Sequence, residues 1–280
     1  MSPRVSARHP DTWKIPDLAE PRYSQSLERG AAILECFTPE HPLLGIADVA
    51  GRLGMSRSST HRYMSTLVAL GYLEQGERRK YRLTLRVTRL GMSALSATGL
   101  REHAHADLLV LSSRTGYATA LATLDGAEVV YVDRVRGLRR LSDRADVAPA
   151  PGSRLPAHCV AVGKVLLAHL PERERRQALV PMTLRLRGPN TITSRATLQR
   201  ELEQVREDAF AVEDEELAPQ RIAIAAPLLD HSGEVTAAIE LTANTAAIAI
   251  EELVDALGPH LVATADHISA RLGYRRAGER

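Results

Sequence analysis

Cysteine, long apolar runs and excess charge are all scarce in this chain of 280 residues, and each scarcity excludes a class of protein. The two cysteines, Cys36 and Cys159, are too few for a disulfide framework or a cysteine-rich zinc site, so each is expected to be a small core residue. No segment approaches the roughly twenty apolar residues that cross a bilayer. Residues 1–24 have no apolar signal core. These absences predict a soluble, cytoplasmic protein.

Catalytic and cofactor motifs are also missing. There is no Gly-x-Ser-x-Gly elbow, no His-Glu-x-x-His sequence and no phosphate-binding glycine loop. His158 and Cys159 are adjacent in sequence, which is poor geometry for a base that activates a thiol. The carboxylates of VEDEELA (residues 212–218) form a run that we interpret as a solvated loop. We therefore predict no enzyme activity, no cofactor and no metal.

What the chain does contain is a focused basic segment. The formal net charge is only +2, but residues 56–83 hold six Lys/Arg and two Asp/Glu, a local net charge of +4. Helical spacing of apolar residues from Ile46 to Leu53 is followed by Gly54 and by a second helix that opens at Ser56, a good N-cap. Gly71 ends this helix, and the pieces GYLEQ and KYRLTL form a hairpin. The order predicts a winged helix-turn-helix.

The second helix has two different faces. Met64, Leu67 and Leu70 fall on one side at 100° per residue and are expected to pack on the first helix. The opposite side offers hydroxyl, imidazole and guanidinium groups to bases and phosphates, and the hairpin tip adds cations for the backbone. The alternative interpretation is a helical hairpin whose basic face is only solvated and binds no nucleic acid. The candidate DNA-binding residues are Ser56, Arg57, Ser58, Ser59, Thr60, His61, Arg62, Ser65, Arg78, Arg79, Lys80 and Arg82.

The remaining chain changes its periodicity. Ser26 is expected to cap a first helix, which would contact the core of the domain through Leu27, Leu34 and Phe37. A connecting helix over about 85–97 carries Val87, Leu90, Met92 and Leu95, which a partner subunit or the same domain would bury. Beyond it, hairpin turns at Asp125-Gly126 and Ser232-Gly233 alternate with helices, which predicts an α+β domain with a largely antiparallel sheet. We divide the chain into an N-terminal arm (1–24), a winged domain (25–84), a linker helix (85–101) and an effector domain (102–280).

These segments together resemble the IclR family of bacterial transcription regulators, over about Ser24 to Gly273. The residues that carry the resemblance are SLERGAAILECF, IADVAGRLGMSRSSTHRYMSTLVALGYLE, KYRLTLRVTRLG, GSRLPAHCVAVGKVLLA and EDEELAPQRIAIAAPLLDHSGEVTAAIEL. Within the family, HRYMSTLVALGYLEQ and RKYRLTLRVTRLG look most like the PcaR/PobR/PcaU branch, which is associated with degradation of aromatic acids. The resemblance implies a GAF-like effector-binding domain and a homodimer or homotetramer.

The resemblance also implies a ligand pocket between the helix entrance near His158, the strand that follows Glu213 and the strand of Glu240. Small residues there would leave room, and the helix N–H groups near 159–162 would receive a carboxylate. Arg221 would add a bidentate cation, or else pair on the surface with Glu215 or Glu216. Where the family often has Ser or Asn, this chain has Glu240, which would select a hydroxyl or an amine, or else face solvent. The candidate effector-binding residues are His158, Cys159, Ala161, Val162, Glu213, Arg221, Ala223, Glu240 and Thr242.

The sequence therefore predicts a transcription regulator that binds double-stranded operator DNA and responds to a small organic acid. An aromatic acid is the first expectation for this effector. Two other classes compete with this interpretation. An architectural DNA-binding protein would show no effector response, and a metabolic enzyme would turn over a small acid.

Overall fold

The computed structural model describes residues 24–38, 40–96, 99–138 and 149–275. The predicted N-terminal arm therefore lies almost wholly outside the described residues. The chain divides into two compact units, with the division between Ala94 and Leu95, inside the segment that we predicted to be a linker. No helix among the described residues is both long and apolar enough to cross a bilayer.

The N-terminal unit is a winged helix-turn-helix. Its helices are α1 (Gln25–Glu35), α2 (Ile46–Leu53) and α3 (Arg57–Ala69), and its wing consists of β1 (Leu73–Gln75) paired antiparallel with β2 (Tyr81–Leu83). The helix α4 (Arg86–Ser96) follows the wing. Gly71 adopts positive φ after α3, as predicted, and Gly54 does so after α2, since a residue with a Cβ is strained there.

The caps and core of this unit correct two sequence expectations. The N-cap of α1 is Ser24 rather than Ser26, and its Oγ accepts from the backbone N–H of Leu27. Leu27 is 76% exposed and Leu70 is 50% exposed, because each lies at a helix end that extends beyond the core. Met64 and Leu67 are buried as predicted. The core also contains Ile33, Phe37, Leu44, Val49, Leu73 and Tyr81.

The C-terminal unit is an α+β domain, so the predicted fold class is confirmed. Its six-stranded antiparallel sheet has the order β5-β4-β3-β8-β7-β6. The strands are β3 (Ala118–Asp125), β4 (Glu128–Val135), β5 (Arg154–Pro156), β6 (Ala211–Asp214), β7 (Arg221–Leu229) and β8 (Val235–Asn244). Both predicted hairpins are present, and Gly126 and Gly233 take positive φ in their turns.

Helices cover both faces of this sheet. They are α5 (Leu100–Thr115), α6 (Ala161–His169), α7 (Glu172–Leu179), α8 (Arg195–Asp208), α9 (Ile250–Glu252) and α10 (Gly258–Arg271), with a π-helical turn (Leu253–Leu257) before the last. The helices α5 and α10 share an apolar core with one face of the sheet. The helices α6 and α8 share a second core with the other face.

The two faces of the sheet differ in side-chain size. The α5/α10 face presents large residues such as Leu121, Ile222, Ile224, Ile239 and Leu241. The α6 face presents short side chains at the alternating positions, which are Ala120, Ala122, Ala223, Ala225 and Ala238. Because alternate residues of a strand point to opposite faces, the sequence of β7 and β8 separates large from small side chains in this way.

Candidate functional site

The first candidate site is the exposed face of α3. Ser56 caps the helix, since its Oγ accepts from the Ser59 backbone N–H at 3.1 Å. Arg57, Ser58, His61, Arg62 and Ser65 are all exposed, as the helical wheel predicted. Thr60 is a correction to the candidate set. Its side chain is buried, and its hydroxyl donates to the Ser56 carbonyl oxygen at 3.0 Å, so it stabilises the first turn of the helix and cannot face a ligand.

The wing places its four cations in two different situations. Arg78 and Arg79 are exposed at the tip in the left-handed region, with φ of 54° and 57°. Among the described residues neither has an ion-pair partner. Lys80 instead pairs with Asp48 of α2 at 2.6 Å, and Arg82 pairs with Glu74 across the hairpin. Two of the four predicted phosphate contacts are therefore already neutralised by carboxylates.

The second candidate site is a buried ionic group on the α6 face of the sheet. Arg221 at the start of β7 pairs with Glu213 of β6 and with Glu240 of β8, where Arg221 Nη2 lies 3.2 Å from Glu240 Oε1. The side chains of all three are at most 1% exposed. Thr242 also donates its hydroxyl to Glu240 Oε1, at 3.3 Å. We call these four residues the Arg221 cluster.

This arrangement corrects three expectations. Arg221 pairs with neither Glu215 nor Glu216, and Glu240 does not face solvent. The carboxylate run after Val212 is not a solvated loop, because Glu213 and Glu216 are both buried. The strand register explains the result. Ala225 and Ala120 flank Glu240, and Glu213 lies opposite Ala223, so the small neighbours leave the long charged side chains to meet over the sheet.

Tyr131 and Cys159 adjoin the Arg221 cluster, and the sequence reasoning did not include Tyr131. Burial raises the pKa of the Tyr131 hydroxyl well above its ordinary value, and the neighbouring Glu240 carboxylate raises it further. Burial likewise raises the pKa of the Cys159 thiol to about 12, with a smaller contribution from Glu216. Both groups therefore stay protonated and neutral near pH 7. The strand β4 supplies Tyr131, and the turn before α6 supplies Cys159.

The first turn of α6 lies in the same core. Ala161 and Val162 are fully buried, and no side chain of the described residues caps this end of the helix. Gly163 allows this turn to pack closely against the backbone of Ala157, since a Cβ at Gly163 would lie 2.2 Å from the Ala157 carbonyl oxygen. The first N–H groups of a helix have no intrahelical acceptor and carry partial positive charge. This end of α6 therefore has the properties of an anion-binding site.

His158 is placed differently from the other candidates. Its ring is buried, but its Nε2 lies 3.3 Å from the Arg185 carbonyl oxygen, and no bond joins it to the Arg221 cluster among the described residues. Burial lowers the pKa of the imidazole. A neutral His158 therefore donates from Nε2 to that carbonyl and leaves Nδ1 as an acceptor.

A second buried ionic group, which the sequence reasoning missed, begins one turn further along α6. Lys164 is 1% exposed, and its Nζ donates to Glu216 Oε1 at 2.6 Å and to Glu201 Oε1 of α8 at 2.8 Å. Burial raises the pKa of Glu216, although the adjacent Lys164 lowers it. The sequence did contain an indication of this group, because AVGKVLLAH is an apolar helix with one lysine. A lysine buried in such a helix requires a counter-charge.

Comparison with known proteins agrees with both halves of this structure. A family model described as "Bacterial transcriptional regulator IclR C-terminal" matches residues 92–270, and one described as "IclR helix-turn-helix domain" matches residues 26–77. The chain is 34% identical to the HTH-type transcriptional regulator XynR of Escherichia coli, over 82% of this chain and 90% of that protein.

Two further relatives concern aromatic acids by name. The p-hydroxybenzoate hydroxylase transcriptional activator of Acinetobacter baylyi is 34% identical over 88% of this chain and 91% of its own length. An IclR homolog from Microbacterium hydrocarbonoxydans, solved in complex with 4-hydroxybenzoate, superposes with a TM-score of 0.75 at 26% identity, covering 89% of this chain and 99% of that one.

A winged helix-turn-helix unit and an α+β domain with a buried polar site, joined in one chain, define a bacterial transcription regulator. The chain belongs to the IclR family, as the sequence resemblance predicted.

Proposed function

We propose that this chain is a ligand-responsive transcription regulator that binds operator DNA through α3 and the wing and is controlled by a small organic acid held between α6 and the sheet. One observation carries the proposal: the Arg221 cluster lies on an alanine-lined face beside the uncapped start of α6. Aromatic acids are the first effectors to test, because two relatives are named for p-hydroxybenzoate or were solved with 4-hydroxybenzoate.

The energetics support a binding role for the cluster. Burying charged groups costs several kcal/mol per ion in real proteins, and well-packed apolar side chains are often at least as stable. A domain that needed only stability would have no use for three charged side chains on a face where many of the neighbouring sheet positions are alanine. A ligand that completes the polar interactions of the site gives these residues a function.

The start of α6 is the proposed place for the effector carboxylate. When Arg221, Glu213 and Glu240 are all ionised, the cluster carries a net charge of −1, and it would repel a second carboxylate. The N–H groups of the first turn, near Ala161 and Val162, carry no such charge and favour anions. Of the two predicted partners of the ligand carboxylate, we therefore keep the helix N-terminus and withdraw Arg221.

Enzyme activity is not part of the proposal. The thiol of Cys159 is held protonated by burial, and His158 faces the Arg185 carbonyl rather than a nucleophile. The relatives that match over most of the chain are named as transcription regulators. No group of three or more metal-binding side chains occurs among the described residues.

The proposed mechanism is a shift between populations of the regulator with different spacings of α3 on a two-fold operator. It requires a homo-oligomer, and α4 together with the residue that precedes it offers an apolar surface for one. Leu85, Leu90 and Met92 are 88%, 57% and 46% exposed in the single chain. Burying such a surface against a second copy removes apolar area from water.

Operator binding with and without effector tests the proposal directly. Duplexes selected from a random library by the full-length protein are used in gel-shift assays with benzoate, 4-hydroxybenzoate, benzamide and pyruvate, and the same ligands are titrated calorimetrically. We expect an acid to bind and to change operator affinity, and its amide to do neither. DNA binding that no acid alters would favour an architectural protein, and consumption of the acid would favour an enzyme.

Arg62→Ala is the matched variant for this assay. Arg62 is exposed on the proposed DNA face, so its loss should weaken specific operator binding by about 1–3 kcal/mol without affecting acid binding. Full operator affinity in a folded Arg62→Ala protein would contradict the placement of α3 on DNA.

The wing gives a second test through the salt dependence of binding. Removing one cation that touches a phosphate lowers the slope of log affinity against log salt by about one. Replacing both Arg78 and Arg79 by alanine should therefore lower the slope by about two. Lys80→Ala is the internal control, because Asp48 already neutralises this ammonium and its removal should change the slope less. Equal slopes for the double variant and the wild type would place the wing away from DNA.

A further inference from the structure

The candidate effector site is closed to solvent. Each of the candidate effector-binding residues, from His158 to Thr242, is at most 6% exposed. A ligand from solution therefore reaches the start of α6 only when a covering segment moves aside. The sheet, α6 and α8 all contribute to the core around this site, and their backbones are held by the regular hydrogen bonds of strands and helices. We therefore looked for a covering segment that lacks such bonds.

Residues 181–194 form an irregular segment between α7 and α8, which we call the strap. Its two ends are anchored, because Met182 and Ile192 pack with the core that contains the start of α6. Its middle buries little, since Leu186 is 70% exposed and the side chains of Arg185 and Arg187 are exposed as well. An outward movement of the middle would therefore bring little further apolar surface into water, which is typical of segments that open locally.

The strap contacts the turn that leads into α6. The carbonyl oxygen of Arg185 lies 3.3 Å from Nε2 of His158, the residue before Cys159. Burial raises the pKa of the Cys159 thiol, and the guanidinium of Arg187 partly opposes that rise, so this strap side chain lies within electrostatic range of the thiol. The middle of the strap therefore lies beside the proposed carboxylate site.

The hydroxyl of Thr191 joins the strap to the loop between β6 and β7. Thr191 is 8% exposed, and its Oγ1 donates to the Glu216 carbonyl oxygen at 2.6 Å. The same oxygen accepts from the backbone N–H groups of Arg187 at 2.9 Å and Gly188 at 2.8 Å. Gly188 packs directly on this loop, because a Cβ there would lie 1.9 Å from the Glu215 carbonyl oxygen. One buried hydroxyl thus carries three of the hydrogen bonds that hold the middle of the strap.

We propose that the strap is the gate of the effector site and that the Thr191 hydroxyl is the latch that keeps it closed. The inference rests on the proposed function, because it assigns the route by which the same effector enters and leaves. Opening breaks the bonds of Thr191 and the contact with His158, and it exposes the thiol of Cys159 to solvent. The latch closes the free and the ligand-bound protein alike. Weakening it should therefore speed entry and exit equally and leave the affinity unchanged.

Labelling of Cys159 with N-ethylmaleimide measures opening without any ligand. The full-length protein is labelled near neutral pH, and mass spectrometry follows each of the two cysteines separately. Thr191→Val keeps the shape of the side chain and removes the hydroxyl. Cys159 should then be labelled about tenfold faster, because buried N–H groups lose their acceptor in the closed state. Cys36, in the N-terminal unit, is the internal reference and should keep its wild-type rate.

Thr119→Val is the matched control for this labelling. Thr119 is also a buried threonine of the C-terminal unit, but its hydroxyl donates to the Leu108 carbonyl oxygen at 3.1 Å, on the α5 face of the sheet. Gly188→Ala is a second opening variant, because its Cβ would push the strap away from the Glu215 carbonyl oxygen. Faster labelling in both opening variants but not in the control supports the gate. Wild-type rates in both opening variants, or equal acceleration in the control, overturn it.

Binding kinetics separate this inference from the proposed function. The full-length protein is mixed rapidly with 4-hydroxybenzoate, and the absorbance of the ligand is followed. In Thr191→Val we expect the association and dissociation rates to rise by the same factor, about tenfold, with the dissociation constant changed less than about twofold. A faster dissociation alone would make Thr191 a ligand contact and overturn the latch. Absence of binding together with faster labelling of Cys159 would contradict the acid effector and leave the gate standing.

Discussion

Replacing Arg221 by methionine is expected to destabilise the C-terminal unit by about 3–5 kcal/mol, because breaking a buried ion pair leaves uncompensated charge in the interior. Arg221 is the shared partner of Glu213 and Glu240, and all three side chains are at most 1% exposed. The variant would bury two carboxylates against each other without a cation. Chemical denaturation followed by circular dichroism measures the decrease in stability.

A triple variant tests whether the lost stability comes from unpaired charge or from lost packing. Arg221→Met combined with Glu213→Gln and Glu240→Gln removes all three charges, so no ion is left unpaired, and most of the stability should return. Failure of the triple variant to recover stability would mean that packing, rather than charge, makes Arg221 necessary. A decrease below about 1 kcal/mol in the single variant would contradict the buried pairing altogether.

This expectation changes how Arg221 can be used as a probe. Removing a free cation from a pocket would weaken acids more than neutral analogues and leave the fold intact. Arg221 already holds two carboxylates, so its removal mixes folding with binding. Glu240 is the better probe of recognition, since an isosteric amide there keeps the shape of the site.

The elements of the fold were predictable because local chemistry specifies them. Ser56 caps α3, Gly71 takes positive φ after it, and Gly126 turns the first hairpin of the sheet. Each of these residues determines the backbone conformation only within three or four positions of itself. The local sequence is therefore enough to predict the cap or the turn. The cap of α1 was misassigned by two residues because Ser24 and Ser26 are both plausible caps, and only the start of the core distinguishes them.

Periodicity was less reliable at the ends of helices. Leu70 shares the apolar stripe of α3 with Met64 and Leu67, yet it is half exposed because it lies at the C-cap. Thr60 was included among the DNA-binding residues, but its side chain is buried and its hydroxyl donates to the Ser56 carbonyl oxygen. A helical wheel gives the direction of a side chain and not how far the neighbouring elements extend.

The buried ionic site depends on contacts that sequence distance does not reveal. Glu240 lies 19 positions after Arg221, and the strand register brings the two together. The sequence left Arg221 with two alternatives, a ligand carboxylate or a surface pair with the nearby Glu215 or Glu216. The resemblance named Glu213, Arg221 and Glu240 together, and the structure shows how they pair and that Tyr131 lies beside them.

Lys164→Met is expected to cost about 3 kcal/mol of stability near neutral pH, because it leaves the buried carboxylate of Glu216 without its cation. Glu201, the other partner of Lys164, has a side chain that is 35% exposed and can turn toward water. Methionine keeps most of the length of lysine, so the change is mainly one of charge. Arg176→Met is the matched control. Its 2.6 Å pair with Glu172 is as short as the Lys164–Glu216 pair, but Arg176 is 75% exposed, and such surface pairs add little stability.

The destabilisation in Lys164→Met should also depend on pH. Burial already raises the pKa of Glu216 above the ordinary 4.5, and Lys164 opposes that rise, so removing Lys164 raises the pKa further. The folded variant then binds a proton at pH values where the unfolded chain has released it, and its stability falls as pH increases from about 4.5 through the raised pKa. Denaturation at several pH values between about 5 and 8 should therefore show the gap to wild type widening toward the upper end of that range. The double variant with Glu216→Gln should not show this pH dependence. A gap that narrows as pH rises would contradict the assignment of Glu216 as the carboxylate that Lys164 stabilises.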